Sequence, residues 1–417
     1  MSGLLRRSSH LAIGTAVGQG LVVLASAVLA RVYGPAEFGA LALLMTVTAL
    51  GSTAGAARLD VAIPSADDGD VAPLVTAAAL VAAGAASAVA LGVWLLPRPE
   101  WLAPLRDTAS LPVLLGTGVF LAAMYQVAGA YLLRLHDTRH VGLMRAAQGA
   151  VFATAAFSTA IGLLWAHALA FGVGLIGLVS IARTVGRTPL TSTPSRTALG
   201  ATLREHWRLP ALSLPGALCD ALAVSQCVWI ISDVFGSTQL GIYGQTQRLL
   251  GAPLLLASAS LGQVLLRRTA ELRDDPAGLE ATLSRVLRGM LAASAVGLAV
   301  LAVVGPDAFA LLLGERWRPS LTMLLAVGVA VASRATVSPL SSVLVTYRRY
   351  GLTFAWQAAY LLSSAIVLRL ISTRTTFDGF MIAFAAHEAV AYVVYLLLIR
   401  RAVAGAGPAT AASTVAR

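Results

Sequence analysis

Two short stretches of the chain have nearly the same pattern, and they decide how the chain is organised. The first is "ARVYGPAEFGALALL", residues 30–44, and the second is "ISDVFGSTQLGIYGQ", residues 231–245. Each interrupts an apolar run with a short turn that contains glycine, and each then returns at once to apolar sequence. At an offset of 202 residues, Gly34 aligns with Gly236 and Gly39 aligns with Gly241. Both stretches therefore predict a tight turn between two consecutive helices.

The composition is that of a membrane protein. Of the 417 residues, 58% are hydrophobic and 12% are charged, and the mean hydropathy is +0.80. Soluble domains carry about 25% charged residues. All 30 basic residues are arginine, so the chain has no nucleotide-binding P-loop, which requires a lysine. The chain has only two cysteines, Cys219 and Cys227, and both lie in one apolar stretch. Their number excludes disulfide staples and zinc sites. We expect no cofactor and no metal.

The number of membrane spans follows from the length of the apolar runs. A helix needs roughly 20 apolar residues to cross the hydrocarbon core. Twelve segments of the sequence meet this rule, and they lie near residues 10–31, 37–57, 71–96, 111–133, 146–163, 167–182, 209–232, 240–265, 287–304, 319–346, 351–371 and 379–399. The sequence therefore predicts an all-α polytopic membrane protein with twelve transmembrane helices.

The arginines are distributed unevenly between the two sides that these spans define. One side holds 21 of the 30 arginines, the other side holds six, and three lie inside spans, namely Arg248, Arg334 and Arg369. By the positive-inside rule the arginine-rich side is cytoplasmic, which places both termini in the cytoplasm. The net charge of +11 then needs no nucleic-acid partner, and an arginine-rich face suits the anionic headgroups of membrane lipids.

A second pair of similar segments indicates an internal duplication. At an offset of 209 residues, "TRHVGLMRAAQ" (residues 138–148) aligns with "YRRYGLTFAWQ" (residues 347–357). A duplicated unit of six helices inserts both copies the same way round, so we expect two six-helix bundles related by an axis along the membrane normal, with the substrate path between them. The predicted domains are an N-terminal bundle, a cytoplasmic linker, a C-terminal bundle and a cytoplasmic tail that we expect to be disordered, at residues 1–182, 183–208, 209–401 and 402–417.

Three segments carry a resemblance to a known family. They are "YGQTQRLLGAPLLLASASLGQVLLRRTAELR" (residues 243–273), "LLLGERWRPS" (residues 311–320) and the region of the first two helices (residues 30–66). They resemble bacterial polysaccharide-repeat-unit flippases, the O-antigen and exopolysaccharide translocases of the multidrug/oligosaccharidyl-lipid/polysaccharide exporter superfamily. The resemblance implies transport without covalent chemistry. By alternating access, such proteins move undecaprenyl-diphosphate-linked oligosaccharides across the bacterial cytoplasmic (inner) membrane for lipopolysaccharide or exopolysaccharide biosynthesis.

Arg248 is the leading candidate for contact with this substrate. It lies roughly 12 Å below the predicted outer turn, and Gly241, Gln245 and Arg248 are spaced so that they share one helix face. A charge at membrane depth costs roughly 2.5–3.5 kcal/mol and normally faces a cavity or a partner. A guanidinium group also matches phosphate oxygens with two parallel donors. We expect Arg248 and Gln245 to contact the diphosphate or the sugar, and a helix-packing ion pair is the alternative for Arg248.

Two further arginines are candidate substrate contacts. Arg334 lies in the tenth span, before Pro339, which is expected to kink the helix. A cavity contact and a structural ion pair are both open for Arg334. Arg58 ends the second span. Its simpler interpretation, without a substrate contact, is that the side chain snorkels to the cytoplasmic interface. The related lipid II flippases place a cavity arginine on their second helix, and this analogy makes Arg58 the third candidate.

Asp220 and Glu388 are the acids that lie deep in predicted spans. An acid inside the membrane can relay a proton or bind Na⁺ during coupled transport, and it can equally neutralise a buried arginine. We therefore name both residues as candidates for coupling to H⁺ or Na⁺.

Three functional hypotheses remain at this point. The first is the flippase for lipid-linked repeat units. The second is a cation-coupled multidrug or small-molecule exporter of the same fold, whose cavity would hold acids and aromatic residues instead of arginines. The third is a non-transporting membrane scaffold for a polysaccharide polymerase or export complex. Intramembrane arginines beside few deep acids favour the first.

Overall fold

The computed structural model describes residues 2–97, 99–106, 108, 110–135, 137–158, 161–184, 194–272, 275–347 and 349–404. Within these residues the secondary structure is helical, without β-strands. The chain divides into two compact units, Met1–Gly241 and Ile242–Arg417.

The first unit contains ten complete helices among its described residues and the start of an eleventh. In chain order these are α1 (Ser2–Val32), α2 (Pro35–Ala56), α3 (Leu59–Ala62), α4 (Asp68–Leu95), α5 (Leu111–Arg134), α6 (Thr138–Ala156), α7 (Gly162–Ala170), α8 (Gly172–Thr184), α9 (Arg196–His206) and α10 (Arg208–Ile230). The remaining helices are α11 (Gly236–Glu271), α12 (Pro276–Leu313), α13 (Leu321–Val337), α14 (Ser342–Thr346), α15 (Tyr350–Ser372) and α16 (Phe377–Ala404).

The helices account for the twelve predicted spans. Ten segments within the described residues are long and apolar enough to cross a membrane. One of them, Pro210–Ala252, contains both α10 and the first part of α11 and therefore supplies two spans. The nineteen-residue helix α6 completes the set; it is less apolar than the others and is not among the ten segments. Large apolar side chains such as Val303 and Leu311 are exposed on the spans, as expected of surfaces that face lipid.

The fifth span begins earlier in the chain than the sequence indicates. We expected it near residues 146–163, whereas α6 runs from Thr138 to Ala156. Asp137 begins this helix by accepting a hydrogen bond from the backbone N–H of His140 at 3.1 Å. Arg145, which suggested a loop, lies within α6 and donates to the hydroxyl of Thr15 on α1 at 2.5 Å. A polar partner on α1 therefore lets this arginine lie within the helix.

Glycines bring α1 and α6 into close contact. A Cβ atom on Gly14 would lie 2.2 Å from the Cα atom of Gly142. One on Gly149 would lie 2.5 Å from the carbonyl oxygen of Gly18. Small residues spaced by four positions let two membrane helices pack backbone to backbone, which replaces the hydrophobic driving force that lipid does not supply.

The two turns quoted at the outset both connect consecutive helices, but they differ in geometry. In the first turn, the backbone N–H of Gly34 donates to the carboxylate of Glu37 at 2.9 Å, and Pro35 opens α2. In the second, a single π-helical turn, Ile231–Phe235, follows α10, and Gly236 has φ = +85°. Residues with a side chain rarely adopt this φ, so a glycine is required at the start of α11.

The predicted linker contains a helix. Within residues 183–208, α9 begins after Ser195, whose hydroxyl accepts from the backbone N–H of Ala198 at 3.2 Å. Residues 185–193 of the linker lie outside the described residues, as do residues 405–417 of the predicted tail. The domain boundaries given above remain predictions.

Two prolines in the second unit lie at helix boundaries. Pro276 is the first residue of α12, and Asp275 before it accepts a hydrogen bond from the backbone N–H of Gly278 at 2.9 Å. Pro339 lies in a 3₁₀ turn, Ser338–Ser341, which separates α13 from α14 and so breaks the tenth span.

The segment "LLLGERWRPS" forms a compact turn between α12 and α13. Gly314 has φ = +105°, and the Trp317 side chain is fully buried. Arg318 donates to Asp307 at 2.6 Å and to Glu315 at 3.1 Å. The pKa of Glu315 is held below its usual value by its hydrogen bond to Arg318 and by the positive charge of that residue. In this segment the charged residues pair with one another and hold the turn.

Candidate functional site

Arg248 and Gln245 both lie on α11. The helix begins at Gly236, so Arg248 is about 18 Å along the helix axis from its start. Gln245 is buried and Arg248 is half-buried. The Nε2 atom of Gln245 is covered by protein and has no hydrogen-bond partner within the described part of the chain. A buried amide without a partner costs about 1–3 kcal/mol, so this N–H group is suited to donate a hydrogen bond to a ligand.

A cluster of charged and aromatic residues occupies the interior of the second unit. We call it the Glu388 cluster, and its members are Arg334 on α13, Trp356 and Tyr360 on α15, and Glu388, Tyr392 and Tyr395 on α16. The Nε atom of Arg334 donates to the hydroxyl oxygen of Tyr392 at 2.7 Å. The hydroxyl of Tyr360 donates to the carboxylate of Glu388, which is 4% exposed. The structure thus brings together two of the predicted site residues, Arg334 and Glu388.

Helical spacing explains why these side chains meet. Trp356 and Tyr360 are four residues apart on α15, and Glu388, Tyr392 and Tyr395 follow one face of α16. The ring of Trp356 stacks on Tyr395 with centroids 3.9 Å apart and on Tyr360 with centroids 5.3 Å apart. All four aromatic side chains are buried, so the cluster is a packed network and not an open platform for a sugar.

His387 extends the cluster on α16. Its Nε2 atom lies 3.0 Å from the hydroxyl oxygen of Ser363, and its ring stacks on Tyr360 at 5.7 Å between centroids. The other ring nitrogen, Nδ1, is buried and makes no hydrogen bond to any described residue. A titratable ring therefore packs on the tyrosine whose hydroxyl donates to the carboxylate of Glu388.

The two acids named as coupling candidates are not in the same compact unit. Asp220 is half-buried on α10 in the first unit, whereas Glu388 belongs to the second unit. Glu388 has an aromatic hydroxyl as a hydrogen-bond donor, as described above.

Arg58 lies at a strained break after α2. Ala57 and Arg58 both have positive φ, at 45° and 58°, and α3 begins at the next residue. The Nε atom of Arg58 and one carboxylate oxygen of Asp60 are covered by protein and have no hydrogen-bond partner among the described residues. Burial raises the pKa of Asp60, and the positive charge of Arg58 opposes this effect. Arg58 as a whole is half-buried, so both interpretations, snorkelling and a cavity contact, stay predictions.

The aromatic members of the Glu388 cluster were missed in the sequence. The signal was present, because "WQAAY" and "EAVAYVVY" place aromatic residues at helical spacing on the last two spans. Spacing on one helix does not reveal that a second helix carries the matching face, and only the packing of α15 on α16 makes the cluster evident.

Comparison with known proteins agrees with this architecture. The model of the family described as "polysaccharide biosynthesis protein" matches residues 28–322. No functionally curated protein matches the sequence.

Solved structures share the fold at low sequence identity. The eukaryotic MATE transporter AtDTX14 is similar with a TM-score of 0.63 at 15% identity, over 97% of this chain and 99% of the other. An inward-facing multidrug resistance MATE family transporter of the MOP superfamily gives a TM-score of 0.57 at 14% identity, over 97% of this chain and 95% of the other. A MATE transporter in the bent conformation gives 0.56 at 14% identity, with 96% and 95% covered. The chain thus belongs to the polysaccharide biosynthesis protein family and has the twelve-helix fold of the MATE transporters.

Proposed function

We propose that the protein is a flippase that moves polyprenyl-diphosphate-linked oligosaccharide repeat units across the cytoplasmic membrane by alternating access. The observation that carries this proposal is the family match over residues 28–322, on a chain whose fold is that of transporters. The family concerns polysaccharide biosynthesis, and a membrane transporter in that process has a lipid-linked sugar as its natural cargo. The product would enter lipopolysaccharide or exopolysaccharide, and we expect the protein itself to catalyse no covalent step.

The polar groups on α11 support a diphosphate-bearing substrate. Arg248 supplies a fixed cation within a predicted membrane span, and one turn earlier Gln245 supplies a buried amide donor that no described residue satisfies. A guanidinium group binds phosphate oxygens through two parallel hydrogen bonds, and an amide donates to a phosphate or a sugar hydroxyl. Arg334 and Arg58 are the further arginines that we assign to this substrate.

We assign coupling to Asp220 and Glu388. A proton or a sodium ion that binds Glu388 removes or neutralises its charge, and this weakens the hydrogen bond that it accepts from Tyr360. Because Tyr360 and Tyr392 pack on the same tryptophan, this change is transmitted to the residues that hold Arg334. The Glu388 cluster would then have one arrangement with the ion bound and another without it, and ion binding would shift the population between them.

A deletion strain tests the flippase function. Loss of the gene should cause lipid-linked repeat units to accumulate in the inner leaflet, and the wild-type gene should restore surface polysaccharide. If a transport-deficient variant present at normal abundance also restores surface polysaccharide, the protein acts as a scaffold for a polymerase or export complex instead.

A second candidate function is export of a cationic drug or small molecule driven by H⁺ or Na⁺. Two observations favour it: solved MATE structures, including a multidrug resistance transporter, share the fold, and a buried acid lies among stacked aromatic residues. The buried carboxylate would bind the driving H⁺ or Na⁺, whereas the packed aromatic rings offer no open face to the drug itself. Efflux of a fluorescent cationic dye by cells that express the protein, absent from the Glu388→Gln variant, would establish this function.

The surroundings of the protein are part of the proposal. We place it as a multi-pass protein in the bacterial cytoplasmic membrane with both termini in the cytoplasm, where its arginine-rich face contacts anionic lipids.

A further inference from the structure

The start of α4 and the end of α9 bring three metal-binding residue types together. Asp70 lies in the first turn of α4, whereas Glu205 and His206 end α9, far along the chain. One ligand atom from each of the three side chains lies within 4.8 Å of the other two. All three residues belong to the first compact unit, and none of them takes part in the transport site proposed above.

Neighbouring groups orient these side chains. The buried hydroxyl of Thr202, one turn before His206 on α9, donates to Oδ1 of Asp70 at 2.7 Å. The other oxygen, Oδ2, lies 3.6 Å from Nε2 of His206. That nitrogen is covered by protein and has no hydrogen-bond partner among the described residues. Such outer hydrogen bonds to a ligating carboxylate are typical of metal sites.

The spacing of the ligand atoms fits a transition-metal ion. Nitrogen and oxygen ligands lie about 2.0–2.2 Å from Zn²⁺ in tetrahedral geometry, which places two ligand atoms roughly 3.3–3.6 Å apart. The separation of 3.6 Å between Asp70 and His206 is of this size. Glu205 is exposed, so its side chain is able to close on the same ion.

We propose that Asp70, Glu205 and His206 bind a divalent transition-metal ion of the Zn²⁺ type, which fastens α9 to the start of α4. An imidazole with two carboxylates suits Zn²⁺ and similar divalent transition-metal ions, whereas Mg²⁺ and Ca²⁺ prefer oxygen ligands alone. Two carboxylates supply the charge that neutralises a dication. The cysteine count led us to expect no metal, but that count does not concern oxygen and imidazole ligands.

The ion would restrict the movement of α9, the helix that leads into α10. Only Trp207 separates α9 from α10, so a metal that holds α9 against α4 also fixes where α10 begins. The alternative for the same residues is a direct ion pair between His206 and Asp70 without metal.

Metal titration of the purified full-length protein tests the proposal. The protein is prepared in detergent without a polyhistidine tag, treated with chelator, and titrated with Zn²⁺ and, for its absorption bands, with Co²⁺. We expect about one ion per chain. His206→Gln and Glu205→Gln should each weaken binding at least tenfold, and Thr202→Val should weaken it roughly tenfold because the Asp70 carboxylate loses its orienting donor. His140→Gln is the matched control, because His140 contacts Asp137 without a third ligand, and it should bind like the wild type.

Protection from trypsin gives a second measurement. Arg204 is exposed on α9, and Zn²⁺ should slow cleavage after it several-fold in the wild type but not in Glu205→Gln. Because Glu205 is exposed, its substitution should leave folding intact even if His206→Gln does not fold. Equal Zn²⁺ binding by the wild type and Glu205→Gln, or a wild type that binds no ion and is not protected, would overturn the proposal and leave the ion pair alone.

Discussion

Gly241 lies directly against the main chain of Pro35: a Cβ atom on Gly241 would be 1.7 Å from the carbonyl oxygen of Pro35. The same contact occurs in reverse, because a Cβ atom on Gly39 would be 2.2 Å from the carbonyl oxygen of Ser237. At the offset of 202 residues, Gly39 corresponds to Gly241 and Pro35 corresponds to Ser237. A reciprocal contact of this kind is what a local twofold axis between two copies of one hairpin produces. The two similar turns therefore meet at their own glycines.

Because of this contact, we expect that replacing either glycine by a larger residue destabilises the protein. Gly241→Ala and Gly39→Ala should each destabilise the protein by about 1–3 kcal/mol, because the added methyl group must displace backbone. The thermal midpoint in detergent measures the effect. Gly297→Ala is the control, since its added methyl group meets no atom within 4 Å, and it should be neutral or stabilising by up to ~1 kcal/mol. Equal midpoints for Gly241→Ala and Gly297→Ala would show that the backbone contact does not matter.

Substitutions at the two partners of the Tyr360–Glu388 hydrogen bond distinguish a coupling role of Glu388 from a packing role. If Glu388 couples transport to an ion, Glu388→Gln should lower export per molecule at least tenfold at normal abundance. Tyr360→Phe should lower the thermal midpoint, because hydrogen bonds to charged groups contribute about 1.5–3 kcal/mol. Tyr350→Phe, at an exposed position, should change neither quantity. Normal export per molecule in Glu388→Gln would assign the residue to packing alone.

Asp220 is tested separately, because it belongs to the first compact unit. Asp220→Asn should reduce net export at least tenfold and leave binding of the lipid-linked sugar intact, since the amide keeps the shape but carries no proton or Na⁺. Asp67→Asn, an exposed position at the start of α4, should export normally. Unchanged export at neutral pH and normal abundance would reduce Asp220 to a packing partner.

The proposed orientation is tested with single cysteines in a variant that lacks Cys219 and Cys227. Cysteines at Ser110 and Thr238 should react with an impermeant thiol reagent in intact cells, whereas one at Thr197 on α9 should react only after lysis. Thr238 and Thr197 are exposed, so access is not limited by packing. Labelling at Thr197 in intact cells would reverse the orientation.

The sequence predicts the number of spans and both quoted turns, because apolar length and turn residues are local properties. It misplaces the start of α6, because Arg145 is stabilised by a threonine on another helix, which no local pattern contains. It likewise misses Trp356 and its aromatic neighbours, whose role depends on α15 packing against α16. The alignment of Gly39 with Gly241 is visible in the sequence, but their reciprocal contact requires the fold.

Arg248 is the residue on which the substrate assignment depends. Arg248→Ala should remain folded and abundant but lose surface polysaccharide at least tenfold, and Arg248→Lys should restore it only partly, because an ammonium group lacks the planar fork. Arg369→Ala, at an exposed position on α15, should export normally. If Arg248 is instead a structural ion-pair partner, Arg248→Ala should lower abundance while export per molecule stays normal.

Translocation in reconstituted vesicles is the most direct test of the flippase function. Purified protein is placed in liposomes that contain a fluorescent polyprenyl-diphosphate-linked saccharide, and the fraction that becomes accessible in the opposite leaflet is measured over time. We expect the wild type to move the lipid at least tenfold faster than protein-free vesicles, and Arg248→Ala at equal incorporation to fall close to the protein-free rate. An H⁺ or Na⁺ gradient is imposed across the vesicle membrane and verified. Under that gradient, wild-type translocation no faster than in protein-free vesicles would contradict the account.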